Sequence, residues 1–161
     1  MDTGRTEPLR ALLLRQRVAA LGTLRQGEPF VSMVPYALLA DGAVVIHVSR
    51  LATHTRDMER HAGVSLLVIA DPAPEVPPQA LARATLQGEA LPCPPAAPEY
   101  AAARAAYLAR FPDSEPMFGF SDFSLFLLRP RAARFVGGFA QAWSIAGADY
   151  ARLMAGAASS D

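Results

Sequence analysis

Fourteen prolines and a few glycine turns cut this 161-residue chain into short apolar runs. Most of those runs have the length of a β-strand and are too short for an independent helix. VAALGTLR and FVSMVPYALL are separated by QGEP, which predicts a hairpin of Val18–Arg25 with the run that starts at Phe30. Asp41-Gly42 is a second turn signal, and Ala43–Val48 returns as a third strand. Pro35 removes a ladder donor, so the second strand is expected at a sheet edge or bulged there. Val64–Ala70 is apolar but for Ser65 and reads as a fully buried strand. Arg83–Leu91 alternates, and Phe123–Leu128 and Ala133–Val136 read as two strands around an Arg129-Pro130 break.

Helical spacing is confined to four places. Glu7–Arg17 carries Leu9, Leu12 and Leu13 on one side, and Leu51–His61 has Thr53 as a candidate N-cap. The alanine-rich Glu99–Phe111 is the clearest helix, and a last one is expected from Gly147, with the terminal ASSD frayed. About six or seven strands joined mostly as hairpins predict a mainly β, largely antiparallel fold. A small closed or partly open barrel with appended helices, one domain over residues 1–161, is the economical way to remove exposed edges.

Composition narrows the function. Fifteen basic residues offset fifteen acidic ones, leaving no overall field to attract nucleic acid. All the basic residues are arginine, so no lysine can form a Schiff base. Cys93 is the one cysteine, which excludes an intrachain disulfide and a cysteine-rich zinc site and fits a reducing compartment. His54 and His61 are seven residues apart, not the three or four that seat a metal on one helical face. No secretory leader pattern and no membrane-length apolar run is present, so a soluble cytoplasmic protein without a membrane partner is expected.

One connector stands out. SRLATHTRDM, residues 49–58, follows a strand and opens a helix, and it consists largely of hydrogen-bond donors. Hydroxyls, a guanidinium and free helical N–H groups at one helix start suit a phosphate; the plain alternative is a capped, solvated helix start. RFVGGFAQAWSI, residues 134–145, pairs glycines with aromatics. It reads either as a bulged strand edge or as a wall for a planar ring.

VPYALLADGAVVIHVSRLATHTRDM, VSLLV, ATLQGEA and ARFVGGFAQAWSI occur in an order that resembles the FMN-binding split-barrel family, the pyridoxamine 5'-phosphate oxidase-like group, and within it the heme-utilisation-related branch. The resemblance implies a six-stranded antiparallel split β-barrel, homodimeric, with FMN at the subunit interface. It implies that Ser49, Arg50, His54 and Thr55 grip the FMN phosphate, and that Met33, Val34, Pro35 and Tyr36 lie along the isoalloxazine ring. Gln87 and Gly88 would approach the ring or ribityl chain, and Trp143 would close the site from the second subunit. The activity implied is that of a flavin-dependent oxidoreductase of unknown substrate, with no catalytic acid or base assigned. The alternatives are a non-catalytic flavin or heme binding module, a short heme-degrading member, or a barrel that serves only as an interaction domain. The branch often carries Asn where this chain has Asp57, so that carboxylate is expected to pair with Arg56 or to point away from the phosphate.

Overall fold

The computed structural model describes residues 3–138 and 141–156. The expected frayed ASSD end lies outside them, as do Phe139 and Ala140 of the Gly-Gly segment. The chain starts with helix α1 (Thr3–Arg15) and then forms the hairpin β1 (Val18–Arg25) and β2 (Glu28–Pro35), paired from Val18↔Pro35 to Arg25↔Glu28. Its two-residue turn places Gln26 at φ 53° and Gly27 at φ 84°. That mirror-image geometry matches the right-handed twist of the flanking strands. Strands β3 (Ala37–Leu38) and β4 (Val44–Ser49) flank the Asp41-Gly42 turn, where Gly42 has φ 80° and the Asp41 carboxylate accepts the Ala43 N–H at 3.0 Å.

Helix α2 (Thr53–Arg60) leads into β5 (Gly63–Ile69) and β6 (Arg83–Cys93), followed by α3 (Tyr100–Arg110), β7 (Phe123–Val136), β8 (Ala142–Ala146) and α4 (Gly147–Met154). All strands join one antiparallel sheet in the order β2-β1-β5-β6-β7-β4-β3, with β8 added to β7. The sheet curls until its edges approach, and β2 touches β4 across the split. The fold is therefore the mainly β, antiparallel, curled architecture expected, with eight strands in place of six. Pro35 ends β2 and the chain re-enters as the separate β3, while β8 extends the far half of β7.

Two strand readings are corrected. Phe123–Leu128 and Ala133–Val136 are one strand, not two, because Pro130 lies opposite Gly88 where the β6 register slips by a bulge. The bulge absorbs the missing proline donor without ending the ladder. The strand buried on both faces is β4, not the Val64–Ala70 run. Val44, Ile46 and Val48 face the barrel interior, while Val45 and His47 face outward and are buried beneath α3 and the 3-10 stretch Pro112–Gly119. Strand β5 alternates, with Ile69 44% exposed, because no helix among the described residues covers its outer side.

Helices plug the barrel. Leu9 and Leu13 of α1, Met58 of α2, and Tyr150 and Met154 of α4 enter the interior cluster. The Tyr36 hydroxyl donates to the Leu13 carbonyl at 2.7 Å, and Tyr150 donates to the Gly42 carbonyl at 2.8 Å, so both buried phenols are satisfied. Burial raises both: Tyr36 to about 12, Tyr150 further still. Neither tyrosine supplies a proton near neutral pH.

Candidate functional site

The donor-rich connector leaves the end of β4 and turns into α2, beside the split. Ser49 donates its hydroxyl to the Asp122 carboxylate at 2.8 Å and accepts the Leu51 N–H at 3.1 Å. Thr55 is fully buried and donates to the Ser49 carbonyl at 2.7 Å. The Arg50 N–H reaches the Asp122 carbonyl at 2.7 Å, while its side chain is exposed. The Ser49 and Thr55 hydroxyls are thus spent on the protein itself, and the Asp122 carboxylate lies against Ser49. Ala52, not Thr53, is the N-cap of α2, without a side-chain cap bond. Thr55 replaces that cap by tying the first turn to the strand end. Asp122 lies 73 residues from Ser49, and nothing in SDFSLFLL marks it as a partner.

Asp57 points away from the connector. It is buried, accepts the Thr23 hydroxyl at 3.0 Å and pairs with the Arg25 Nε at 3.6 Å, not with Arg56. The Arg25 guanidinium lies over the Phe30 ring, 3.4 Å from its centroid. Through these contacts α2 is fastened to β1 and brought to the β2 side of the split. His54, half-buried in the first turn, has its pKa lowered by burial, opposed in part by the Asp57 charge, so its imidazole is neutral at neutral pH.

The residues expected along a ring are placed as follows. Val34 and Tyr36 are buried in the barrel, whereas Met33 is 63% exposed and Pro35 is exposed beside it. Val31, 66% exposed, lies on the same face of β2 as Met33, and Leu51 on the connector is 75% exposed. Gln87 is exposed on β6, and Gly88 is backed by β7: a Cβ there would sit 2.1 Å from the Arg129 carbonyl oxygen. Trp143 is half-buried on β8 and packs on Phe135 of its own chain, centroids 5.4 Å apart. The structure brings Ser49, Arg50, His54 and Thr55 together and sets Met33 on the facing edge, while Gln87, Gly88 and Trp143 lie on strands further round the sheet.

His47 sits apart, on the outer face of β4. It stacks on Phe118 at 3.9 Å and touches Tyr107 and Phe123, and its Nδ1 is buried without a partner. Burial holds its pKa down to about 4. Below about pH 6.5 the unfolded chain takes up a proton that the folded site refuses until about pH 4, so stability is lost as pH falls through that window. The full loss is about 3 kcal/mol. His47→Phe is expected to remove this slope: between pH 7 and 4.5 the wild type loses about 2 kcal/mol more than the variant in urea unfolding. Parallel losses in the two proteins would rule out His47 as the titrating group.

The family model described as pyridoxamine 5'-phosphate oxidase matches residues 6–137. The non-canonical heme oxygenase HOZ, chloroplastic, of Arabidopsis thaliana is 36% identical over 140 residues, 85% of this chain and 41% of that protein. Heme oxygenase HutZ of Vibrio cholerae is 31% identical over 151 residues, 91% of this chain and 84% of that protein. Among solved structures, a heme binding protein from Mycobacterium smegmatis superposes with a TM-score of 0.82 at 38% identity, covering 91% of this chain and 60% of that one. This chain therefore spans less than half of the plant protein and three fifths of the mycobacterial chain.

These relatives overturn the expectation of FMN, since each is named for heme. The connector supplies a physical reason. A phosphate seated on Ser49 and Thr55 would have to break the Ser49–Asp122 and Thr55–Ser49 bonds and then lie against the Asp122 carboxylate. Among the described residues no helix is long and apolar enough to cross a membrane.

Proposed function

The chain belongs to the pyridoxamine 5'-phosphate oxidase family, and from that premise we propose that it binds heme at the split between β2 and β4. The observation that carries this reading is the division of labour around the connector. The Ser49 and Thr55 hydroxyls are bonded internally, while the exposed guanidinium of Arg50, one neutral imidazole and an exposed apolar edge remain open to a ligand. A porphyrin needs those three things: apolar surface for the macrocycle, a cation for a propionate carboxylate and an uncharged donor for the iron.

Val31, Met33 and Leu51 provide the apolar surface, and Arg50 provides the cation. His54 is the residue that would hold the iron, since an imidazole coordinates only through an unprotonated nitrogen. Among the described residues no cluster of three metal-binding side chains exists, which suits a ligand that brings its own four nitrogens. The bound heme supplies the redox chemistry; the protein positions it and excludes water.

A second reading follows from the names of two relatives: heme is the substrate, degraded oxidatively at this site with electrons from an external donor. A second copy of the chain covers the ligand in either reading. The outer side of β1, β2 and β5 exposes Val18, Val31, Met33 and Ile69, and no helix among the described residues lies over it. Closure of the site by Trp143 of the second copy belongs to this homodimeric reading.

Titration of the purified protein with iron protoporphyrin IX, followed at the Soret band, tests the proposal. A saturable band of protein-bound heme is expected, weakened about tenfold by Arg50→Ala and displaced in wavelength by His54→Ala. No saturable uptake would end the heme reading; an unaltered band in His54→Ala would end the assignment of the iron ligand. Loss of the band on adding a reductant in air, with release of iron, separates degradation from simple binding.

A further inference from the structure

The C-terminal ends of α1 and α3 meet beside the far end of β2, and each sends an arginine across to the other. Arg17 donates through Nη2 to the Arg110 carbonyl at 3.2 Å, and Arg110 donates to the Gln16 carbonyl. Each guanidinium thereby satisfies a carbonyl that a helix end leaves without a partner. That exchange uses one of five N–H donors on each side chain. Arg17 lies over the Phe111 ring and Arg110 over the Tyr36 ring, at 4.9 and 5.2 Å to the centroids.

What sets the pair apart is that two cations lie side by side. Among the described residues neither arginine has a carboxylate partner within ion-pair distance, and the Arg17 charge acts on Arg110. The Arg110 Nε is buried with no partner at all. Burial and the neighbouring Arg17 charge both disfavour the Arg110 cation. Two like charges held together in this way are costly unless an anion joins them. The contrast with the cavity of about 280 Å³ lined by Cys93, Arg129 and Arg131 is direct. There Arg129 is paired with Asp41 and Glu99, and Arg131 with Glu89, so that cavity has no spare cation.

Register places the arginine pair along the same edge as the proposed ligand. The Tyr36 N–H bonds to the Arg17 carbonyl, and Val18 pairs with Pro35, two residues from Met33. We propose that Arg17 and Arg110 form an anion subsite that takes a propionate carboxylate of the porphyrin. This subsite rests on the heme reading above. A guanidinium pair receives a carboxylate through parallel N–H bonds and loses that recognition when the acid is esterified.

The test compares iron protoporphyrin IX with its dimethyl ester, both titrated into wild type, Arg17→Gln and Arg110→Gln. Arg17 is exposed, so its glutamine variant folds even where Arg110→Gln is destabilised. The wild type is expected to bind the diacid at least tenfold more tightly than the ester, and Arg17→Gln to lose most of that preference while binding the ester unchanged. An equal preference in all three proteins overturns the subsite and leaves the heme reading standing. If the wild type binds neither porphyrin, the heme reading fails and inorganic phosphate decides the subsite. A phosphate-dependent rise in melting temperature that Arg17→Gln abolishes sustains it; no rise, or the same rise in both proteins, overturns it.

Discussion

Replacing Gly88 by alanine is expected to cost about 3 kcal/mol or more, a drop of roughly 6–12 °C in melting temperature for a chain of this size. The added Cβ would lie 2.1 Å from the Arg129 oxygen, 2.8 Å from the Arg129 carbonyl carbon and 3.0 Å from the Pro130 Cα. All three are backbone atoms of the adjacent strand, so no side chain can rotate to make room. Relief requires β6 and β7 to part at the bulge, and that pair is the longest ladder in the sheet. Gly119→Ala is the control, since a Cβ there meets nothing within 4 Å, and its effect should stay within about 0.5 kcal/mol. Urea unfolding of both variants reads the difference. A Gly88→Ala protein as stable as the control would show that the bulge tolerates a side chain and that the close approach is not needed.

Asp57→Ala is expected to destabilise by about 3 kcal/mol and to weaken ligand binding with it. The substitution leaves the buried Thr23 hydroxyl without its acceptor and the Arg25 guanidinium, two of whose nitrogens are buried, without a counter-charge. Arg25 keeps about a third of its side chain in solvent, so the ion pair itself is screened. Much of the cost comes from the groups left unsatisfied. Asp57→Asn retains an acceptor for Thr23 and should cost about half as much. The functional part of the effect arises because these contacts fasten α2 to β1, and α2 carries His54. Equal stability of the alanine and asparagine variants would show that Thr23 does not depend on this acceptor. Stability lost without any change in heme affinity would separate α2 from the ligand.

Local chemistry accounts for what was readable from the chain. The Gln26-Gly27 and Asp41-Gly42 turns, the hairpins they close and the alanine-rich α3 depend on residues within a few positions of one another. So does the amphipathic α2, although its cap fell one residue earlier than Thr53. The connector motif stood out because donors were concentrated at a strand-to-helix junction. How Ser49 is engaged was not legible, because its partner, Asp122, arrives from 73 residues away.

The same division holds through the molecule. Sequence alone determined the antiparallel class, the turn positions, the family order of segments and the exclusion of lysine or disulfide chemistry. Tertiary structure decided that β7 runs unbroken past Pro130, that β4 and not β5 is covered on both sides, and that Asp57 faces Thr23 and Arg25. It also brought Arg17 to Arg110 across 93 positions. Turn and helix preferences are set by each residue's own backbone and near neighbours, whereas burial, charge pairing and bulge placement depend on which distant segment the curled sheet brings alongside.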